Sequence, residues 1–290
     1  MKSKLLLQLD PDPQPSVFDA VVAVDSGVDH LLRHGGVSPA DVTPLVHGLL
    51  FTRGVDDLKS SALFIGGSDV AAGEGLMQAA KAAFFGPFRV SVLFDANGCN
   101  TTSAAAVLAL LEGLKRTRSG AERAKVVILA ATGAVGQRVA RLLLGLPDAI
   151  QVHIGSRRLD RAQAVASVLK LATERTAIPF AASTNEELGQ ALEGADAVIA
   201  AGAAGVALLP RSHWASVKVF VDLNAVPPLG IEGVDAGDRG KERDGALCWG
   251  ALGVGATKMK IHKRAIQSLF EGNHQTIDAE ECLEIGRQLT

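Results

Sequence analysis

The stretch VVILAATGAVGQRVARLLL, residues 126–144, constrains this chain more than any other. An apolar β-branched run, a glycine-bearing turn and a helical run form the opening of a nucleotide-binding unit. The turn aims backbone N–H groups, and the helix its positive end, at a phosphate. The turn Ala131-Thr132-Gly133-Ala134-Val135-Gly136 reads AxGxxG where GxGxxG is usual. Gly133 lets the backbone approach a pyrophosphate, and Gly136 lets the helix lie close to its strand. Alanine at 131 suits only a negative φ, because a Cβ makes positive φ costly, so a wider turn is expected there. Many such turns hold no ligand. Here a strand precedes the turn, a helix follows it, and a second strand comes at the right distance, so Thr132 to Gly136 is expected to hold a nucleotide.

That second strand selects the nucleotide. A ribose 2′-hydroxyl is usually held by Asp or Glu about 20 residues past the loop. This chain has Gly155-Ser156-Arg157-Arg158 there and no acid. Ser156, Arg157 and Arg158 suit a 2′-phosphate through charge-assisted, forked hydrogen bonds, which points to NADP over NAD. The alternative is that both arginines are solvated surface residues.

Elsewhere the chain alternates strands and helices, the pattern of α/β folds with parallel sheets. Strands are expected at Leu5–Leu9, Ala62–Gly66 and Phe88–Phe94. Val17, Val21, Val24, Val28 and Leu31 recur at helical spacing, Thr43–Phe51 is a helix or a strand, and Asp69–Phe85 reads as an amphipathic helix. Thr101 or Thr102 can cap a long Ala/Leu helix running to about Arg118. After the linker TRSGAERAK a second α/β unit begins, with strands at Val126–Ala130, Ile150–Ile154, Ala197–Ala201 and Val217–Asp222. Its helices are expected at Val135–Leu146 and Leu159–Ala172, and a final helix at Met259–Phe270. At 290 residues the chain has room for two domains. The expectation is a substrate domain over 1–105 with 258–290 packing back on it, a Rossmann-like domain over 106–257, and a cleft between them.

Composition removes several classes of function. A net charge of −2 with mixed signs argues against a nucleic-acid or membrane-surface partner. No apolar run reaches the roughly 18–20 residues that span a bilayer. Three scattered cysteines, Cys99, Cys248 and Cys282, form neither a disulfide framework nor a metal pair, and a reducing cytoplasm fits. No HExxH or His/Cys/Asp grouping calls for a metal, the histidines are scattered, and no GxSxG elbow offers a serine nucleophile.

Three polar or small-residue segments could line a substrate site: Ser16-Val17-Phe18-Asp19, Asp95 to Thr102 (DANGCNTT), and Gly250 to Lys258 (GALGVGATK), which leads into the last helix. Each has a plainer reading, since Asp95 and Asn97 are common turn residues and Thr101 a natural N-cap.

Taken together, PSVFD (15–19), FTRG (51–54), FFGPFRVS (84–91), NTTSAAA (100–106), NAVPPLGI (224–231) and GALGVGATKMK (250–260) resemble, in order, the NADP-dependent methylenetetrahydromethanopterin dehydrogenases of methylotrophic bacteria. The resemblance spans nearly the whole chain. It implies oxidation of a methylene group carried by tetrahydromethanopterin, or in some members tetrahydrofolate, to the methenyl form. It further implies a cytoplasmic homo-oligomer, a homotrimer, with the active site between the domains. On this resemblance Thr132–Gly136, Arg157 and Arg158 hold NADP, Ala201 and Asn224 join the cofactor set, and Asp95–Thr102 and Lys258 line the pterin cleft. Ala131 departs from the expected glycine.

The chemistry of such a reaction asks little of the protein beyond placement. A methylene flanked by two nitrogens is a ready hydride donor, because the lone pairs delocalise the charge left behind, and no general base is required. The task is to hold carbon against nicotinamide and exclude water. Asp95 is the candidate to bind pterin N–H groups and stabilise the cation. Asn97, Asn100 and Thr102 would orient the ring, Phe18 would pack on its face, and Asp19 stands beside it. An ammonium at Lys258 would oppose a forming cation, so an orienting role is expected for it. The competing readings are another two-domain NADP oxidoreductase, of the shikimate dehydrogenase or methylenetetrahydrofolate dehydrogenase/cyclohydrolase type, and a non-catalytic NADP sensor.

Overall fold

The runs LLLQL, SALFI and SVLF are short, almost wholly apolar and bounded by turn residues, as strands covered on both faces must be. In the computed structural model, which describes residues 2–117, 123–146, 150–214 and 217–289, they form the centre of one of two units. The first unit comprises Met1–Thr101 and Met259–Thr290, the second Thr102–Lys258.

The first unit runs β1 (Leu5–Leu9), α1 (Val17–Asp25), β2 (His30–His34), α2 (Pro39–Phe51), β3 (Ser61–Ile65), α3 (Val70–Ala82) and β4 (Ser91–Phe94), then enters α4 (Cys99–Thr117). The second contains β5 (Ala124–Leu129), α5 (Ala134–Gly145), β6 (Ile150–Ser156), α6 (Leu159–Thr173), β7 (Ile178–Ala181), α7 (Asn185–Leu192), β8 (Ala197–Ala200), β9 (Val219–Asp222), β10 (Arg239–Arg243) and β11 (Ala246–Trp249). Helix α8 (Ala251–Ser268) then returns the chain to the first unit, which ends with β12 (Thr276–Ile277) and α9 (Ala279–Leu289).

In the first unit the strands form a parallel sheet in the order β12-β4-β3-β1-β2, with Leu7 opposite both Leu32 and Leu63. β2 is an edge strand and largely exposed. Here the helical spacing misleads. Helix α1 stops at Asp25, Gly27 turns the chain at φ 83°, and Leu31 lies in β2. Val22 and Ala23 are the buried face, whereas Val17, Val21 and Val24 are 54–70% exposed. Thr43–Phe51 is helical, and α2 begins earlier, where the Asp41 carboxylate accepts the Ser38 N–H (2.9 Å) and hydroxyl (2.6 Å).

The helix expected from Met259 starts earlier and takes in most of the small-residue run 250–258: α8 begins at Ala251. Its glycines allow a close approach, since a Cβ on Gly250 or Gly253 would collide with backbone at Asp235, Ala236 or Asp238. Helix α4 starts at Cys99, before both threonines expected to cap it, and the expected terminus at Arg118 lies outside the described residues, as does most of the linker that follows.

The second unit holds a seven-stranded sheet in the order β10-β11-β9-β8-β5-β6-β7, parallel except for β10. Strand order reverses between β5 and β8, which in open α/β sheets marks the ligand-binding edge at the strands' carboxyl ends. Helix α5 buries Val139, Leu142 and Leu143, each side chain contributing roughly 1.5–3 kcal/mol. The opposite flank packs Trp214 against Phe220, ring centres 4.3 Å apart. Among the described residues no helix is long and apolar enough to cross a membrane.

Candidate functional site

The nucleotide turn leaves β5 through Ala130, whose φ is 53°. The left-handed residue is therefore Ala130, one position before the alanine at which the turn was expected to adapt. The backbone N–H of Ala131 stays tied to the Gly155 carbonyl at 2.9 Å, so the turn is locked to the end of β6.

The two glycines do different work. A Cβ on Gly136 would stand 2.7 Å from the Ala131 Cα, so the helix reaches its strand only because position 136 lacks a side chain. A Cβ on Gly133 would meet nothing closer than the Ala130 and Ala201 carbonyls, at 3.7 and 3.9 Å. Position 133 would thus take a Cβ at ordinary contact distance, which leaves room beside the first turn of α5, whose N–H groups lack intrahelical acceptors. Thr132 is fixed by the Gln137 amide, which donates to its carbonyl at 2.8 Å. Ala134 and Val135 begin the helix, and Ala201, at the end of β8, borders the same space from across the strand reversal. This arrangement fits a pyrophosphate.

Beside it lies a cavity of about 480 Å³ lined by Thr132, Ser156, Arg157, Arg158, Arg161 and Leu208. It adjoins a larger one of about 830 Å³, which shares Ala130, Arg157, Ala182 and Leu208 and continues past Val206 and Pro228. The three arginines are not equivalent. Arg158 grips Asp160 through Nε (3.1 Å) and Nη2 (2.5 Å), and that pairing holds the Asp160 carboxyl below its usual range. The guanidiniums of Arg157 and Arg161 have no hydrogen-bond or ion-pair partner among the described residues and stand exposed. Ser156 is 7% exposed and accepts the Arg158 N–H at 3.3 Å. Arg161 was missed in the sequence because it follows the strand-end motif, on the first turn of α6. Counting one helical turn beyond Arg157 would have found it. Two partnerless guanidiniums with a nearby hydroxyl fit a phosphate monoester.

Asn224 has a different task from the one expected. It is 4% exposed, accepts the N–H groups of Gly205 (3.3 Å) and Val226 (2.9 Å), and donates to the Pro228 carbonyl at 3.0 Å. Its amide staples the loop after β8 to the loop after β9.

The candidate substrate residues divide in the same way. Asp95 is 1% exposed and caps α4: Oδ1 accepts the N–H groups of Asn100 (2.9 Å) and Thr101 (3.0 Å), and Oδ2 accepts the Thr101 hydroxyl at 2.6 Å. Asn100, expected to orient a ring, is wholly buried, and its amide donates to the Phe94 carbonyl (2.6 Å) and to Asp278 (2.8 Å). Both residues shape the segment. Asn97 stands exposed at φ 52°, its N–H on the Gly67 carbonyl at 2.6 Å. Phe18 is half exposed at the start of α1, 6.4 Å between ring centres from His262. Asp19 is partly buried, and its Oδ2 lies 3.4 Å from where a Cβ on Gly66 would be. Thr102 and Lys258 are both part-buried, on α4 and α8. Among the described residues no group of three or more His, Cys, Asp or Glu side chains could hold a metal ion.

A family described as "Methylene-tetrahydromethanopterin dehydrogenase, N-terminal" matches residues 17–97. The chain is 42% identical over 292 residues, covering all of both sequences, to the "Bifunctional protein MdtA" of Methylorubrum extorquens. It is 30% identical, over 93% of each chain, to the "NAD(P)-dependent methylenetetrahydromethanopterin dehydrogenase" of the same organism. Among solved structures it resembles the shikimate 5-dehydrogenase of Listeria monocytogenes in complex with shikimate and NAD, with a TM-score of 0.52. At 14% identity over 99% of this chain and 96% of that one, this last likeness concerns the fold alone.

Proposed function

Since the chain belongs to the methylenetetrahydromethanopterin dehydrogenase family, we propose that it transfers a hydride from the methylene carbon of a reduced pterin carrier to NADP⁺, leaving the methenyl form. One observation carries this reading. The family match falls on residues 17–97, in the unit that does not hold the nucleotide turn, and full-length identity continues through both. A nucleotide-binding sheet is common to many oxidoreductases, whereas substrate choice is made outside it.

NADP⁺, when bound, supplies the hydride acceptor. Gly133 and the first turn of α5 receive its pyrophosphate, and Arg157 with Arg161 takes the 2′-phosphate, next to Ser156. Arg158 neutralises Asp160, whose charge would otherwise repel that phosphate. In the first unit Phe18 offers a face to the pterin, while Asp19 and Asn97 meet its polar edge. Asp95 holds the 95–102 segment in shape through the α4 N-terminus, and Asn100 fastens that segment to Asp278. Thr102 and Lys258 orient the substrate. No side chain has to carry a proton, because the two nitrogens beside the methylene stabilise the cation that hydride loss creates.

Both methylenetetrahydromethanopterin and methylenetetrahydrofolate are proposed as substrates. A cytoplasmic homotrimer is the proposed assembly. The experiment is a rate comparison of both methylene carriers with NADP⁺ and NAD⁺ on the purified protein, alongside its mass in solution. Reduction of NADP⁺ in excess of NAD⁺ is expected, and no reduction with either carrier would overturn the reading.

A further inference from the structure

The residue that follows β1, Asp10, belongs to no motif, yet it is completely buried. A carboxylate in such a place must have its oxygens occupied, and both are. Oδ1 accepts the N–H of Asp12 at 2.9 Å and Oδ2 the N–H of Ser16 at 3.2 Å, while its own N–H is fixed to the His34 carbonyl at 3.0 Å. The bonds continue outward. Ser16 Oγ accepts the N–H of Asp19 at 3.2 Å and so caps α1. Asp12 in turn accepts the N–H and hydroxyl of Ser68 at 2.8 and 2.9 Å, tying the loop to the turn after β3. The segment so braced is PDPQP, whose prolines have no N–H with which to pair. Neighbouring glycines fit around it: a Cβ on Gly67 would lie 2.7 Å from the Pro11 Cγ and 3.1 Å from Asp10 Oδ1. Asp10 Oδ2 and Asp19 Oδ2 lie 3.6 and 3.4 Å from the point a Gly66 Cβ would occupy.

We propose that Asp10 is a positioning residue for the pterin: through the bracket Asp10–Ser16–Asp19 it sets where Phe18 and Asp19 meet the substrate. The inference rests on the assignment of those two residues to the pterin. Burial pushes the Asp10 carboxyl up, against the hydrogen bonds from Asp12 and Ser16 that pull it down. The charged groups facing it are Asp12 on its own loop, Arg33 on β2 and Asp19 on α1. Protonation turns one acceptor oxygen into a donor, and the bracket loosens as pH falls.

The test is steady-state kinetics of Asp10→Asn and Ser16→Ala, with urea unfolding curves as the control on folding and NADP⁺ affinity measured by isothermal titration calorimetry. KM for the methylene carrier is expected to rise roughly five- to tenfold in each, as small misplacements of binding groups produce, with NADP⁺ affinity within twofold of wild type. The wild-type profile of kcat/KM for the carrier should also show an acid limb that Asp10→Asn lacks. A folded Asp10→Asn enzyme with unchanged carrier KM and an unchanged acid limb overturns the proposal. If Asp10→Asn does not fold, an unchanged carrier KM in Ser16→Ala overturns it instead. A wild-type enzyme inactive on both carriers contradicts the functional reading, a result distinct from either.

Discussion

The Cα of Ala131 occupies the ground that a side chain on Gly136 would need, 2.7 Å from its would-be Cβ. Gly133, three residues earlier, would take a Cβ at ordinary contact distance instead, its nearest would-be neighbour 3.7 Å away. Gly136→Ala should therefore destabilise the second unit by about 1–3 kcal/mol, the usual range for overpacking. Gly133→Ala should leave the thermal midpoint nearly unchanged and raise KM for NADP⁺. Melting curves and cofactor titrations on both variants separate the two roles; the reverse ranking would remove Gly133 from the pyrophosphate site.

The arginines should sort by their partners. Replacing Arg157 or Arg161 with Gln removes charge-assisted bonds to the 2′-phosphate and should weaken NADP⁺ by roughly 10- to 100-fold, with NAD⁺ little affected. Arg158→Gln acts through Asp160 and should cost much less. Equal losses for NADP⁺ and NAD⁺ in Arg157→Gln would contradict the assignment.

Asn100→Ala should be a stability variant. It removes one hydrogen bond each from the Phe94 carbonyl and the Asp278 carboxylate, a loss of about 2 kcal/mol or more, readable as a lower urea midpoint. A variant as stable as wild type but with altered carrier KM would return Asn100 to the substrate.

His153, on β6, carries the clearest pH signature. Desolvation, and then the nearby Lys125 charge, lower its pKa from 6.5 to about 4. The unfolded chain takes up this proton first, so His153 has no effect on stability above about pH 6.5, erodes it as pH falls toward about 4, and adds no further loss below. His153→Gln should flatten the dependence of the urea midpoint over that interval relative to wild type. An unchanged slope would mean that other groups carry it.

How much of this the sequence disclosed depended on whether a residue's neighbours were local. The turn at 131–136 and the arginines at 157 and 158 were legible because strand, turn and helix follow one another directly. Helix α1 was misread because valines 17, 21 and 24 share its outward face, while the buried pair Val22 and Ala23 leaves no helical period in so short an element. The helix expected from Met259 begins at Ala251, its first turns masked because glycine disfavours helix; Gly250 and Gly253 answer to backbone at 235–238, a tertiary demand with no local trace. Asp95 and Asn100 were picked out by residue type and Asn224 by the family resemblance, and their hydrogen bonds to the chain appear only in the fold. Asp10 stayed hidden because a buried carboxylate holding a proline-rich loop looks, in sequence, like an ordinary strand end.

The central claim is that placement alone moves the hydride, and the most direct measurement follows it. The purified protein is given NADP⁺ and a carrier whose methylene group bears deuterium, and the reduced nicotinamide is analysed by mass. The account predicts NADPH carrying one deuterium and a methenyl product retaining the other, with no deuterium in solvent. NADPH without label, or no NADPH at all, would contradict it.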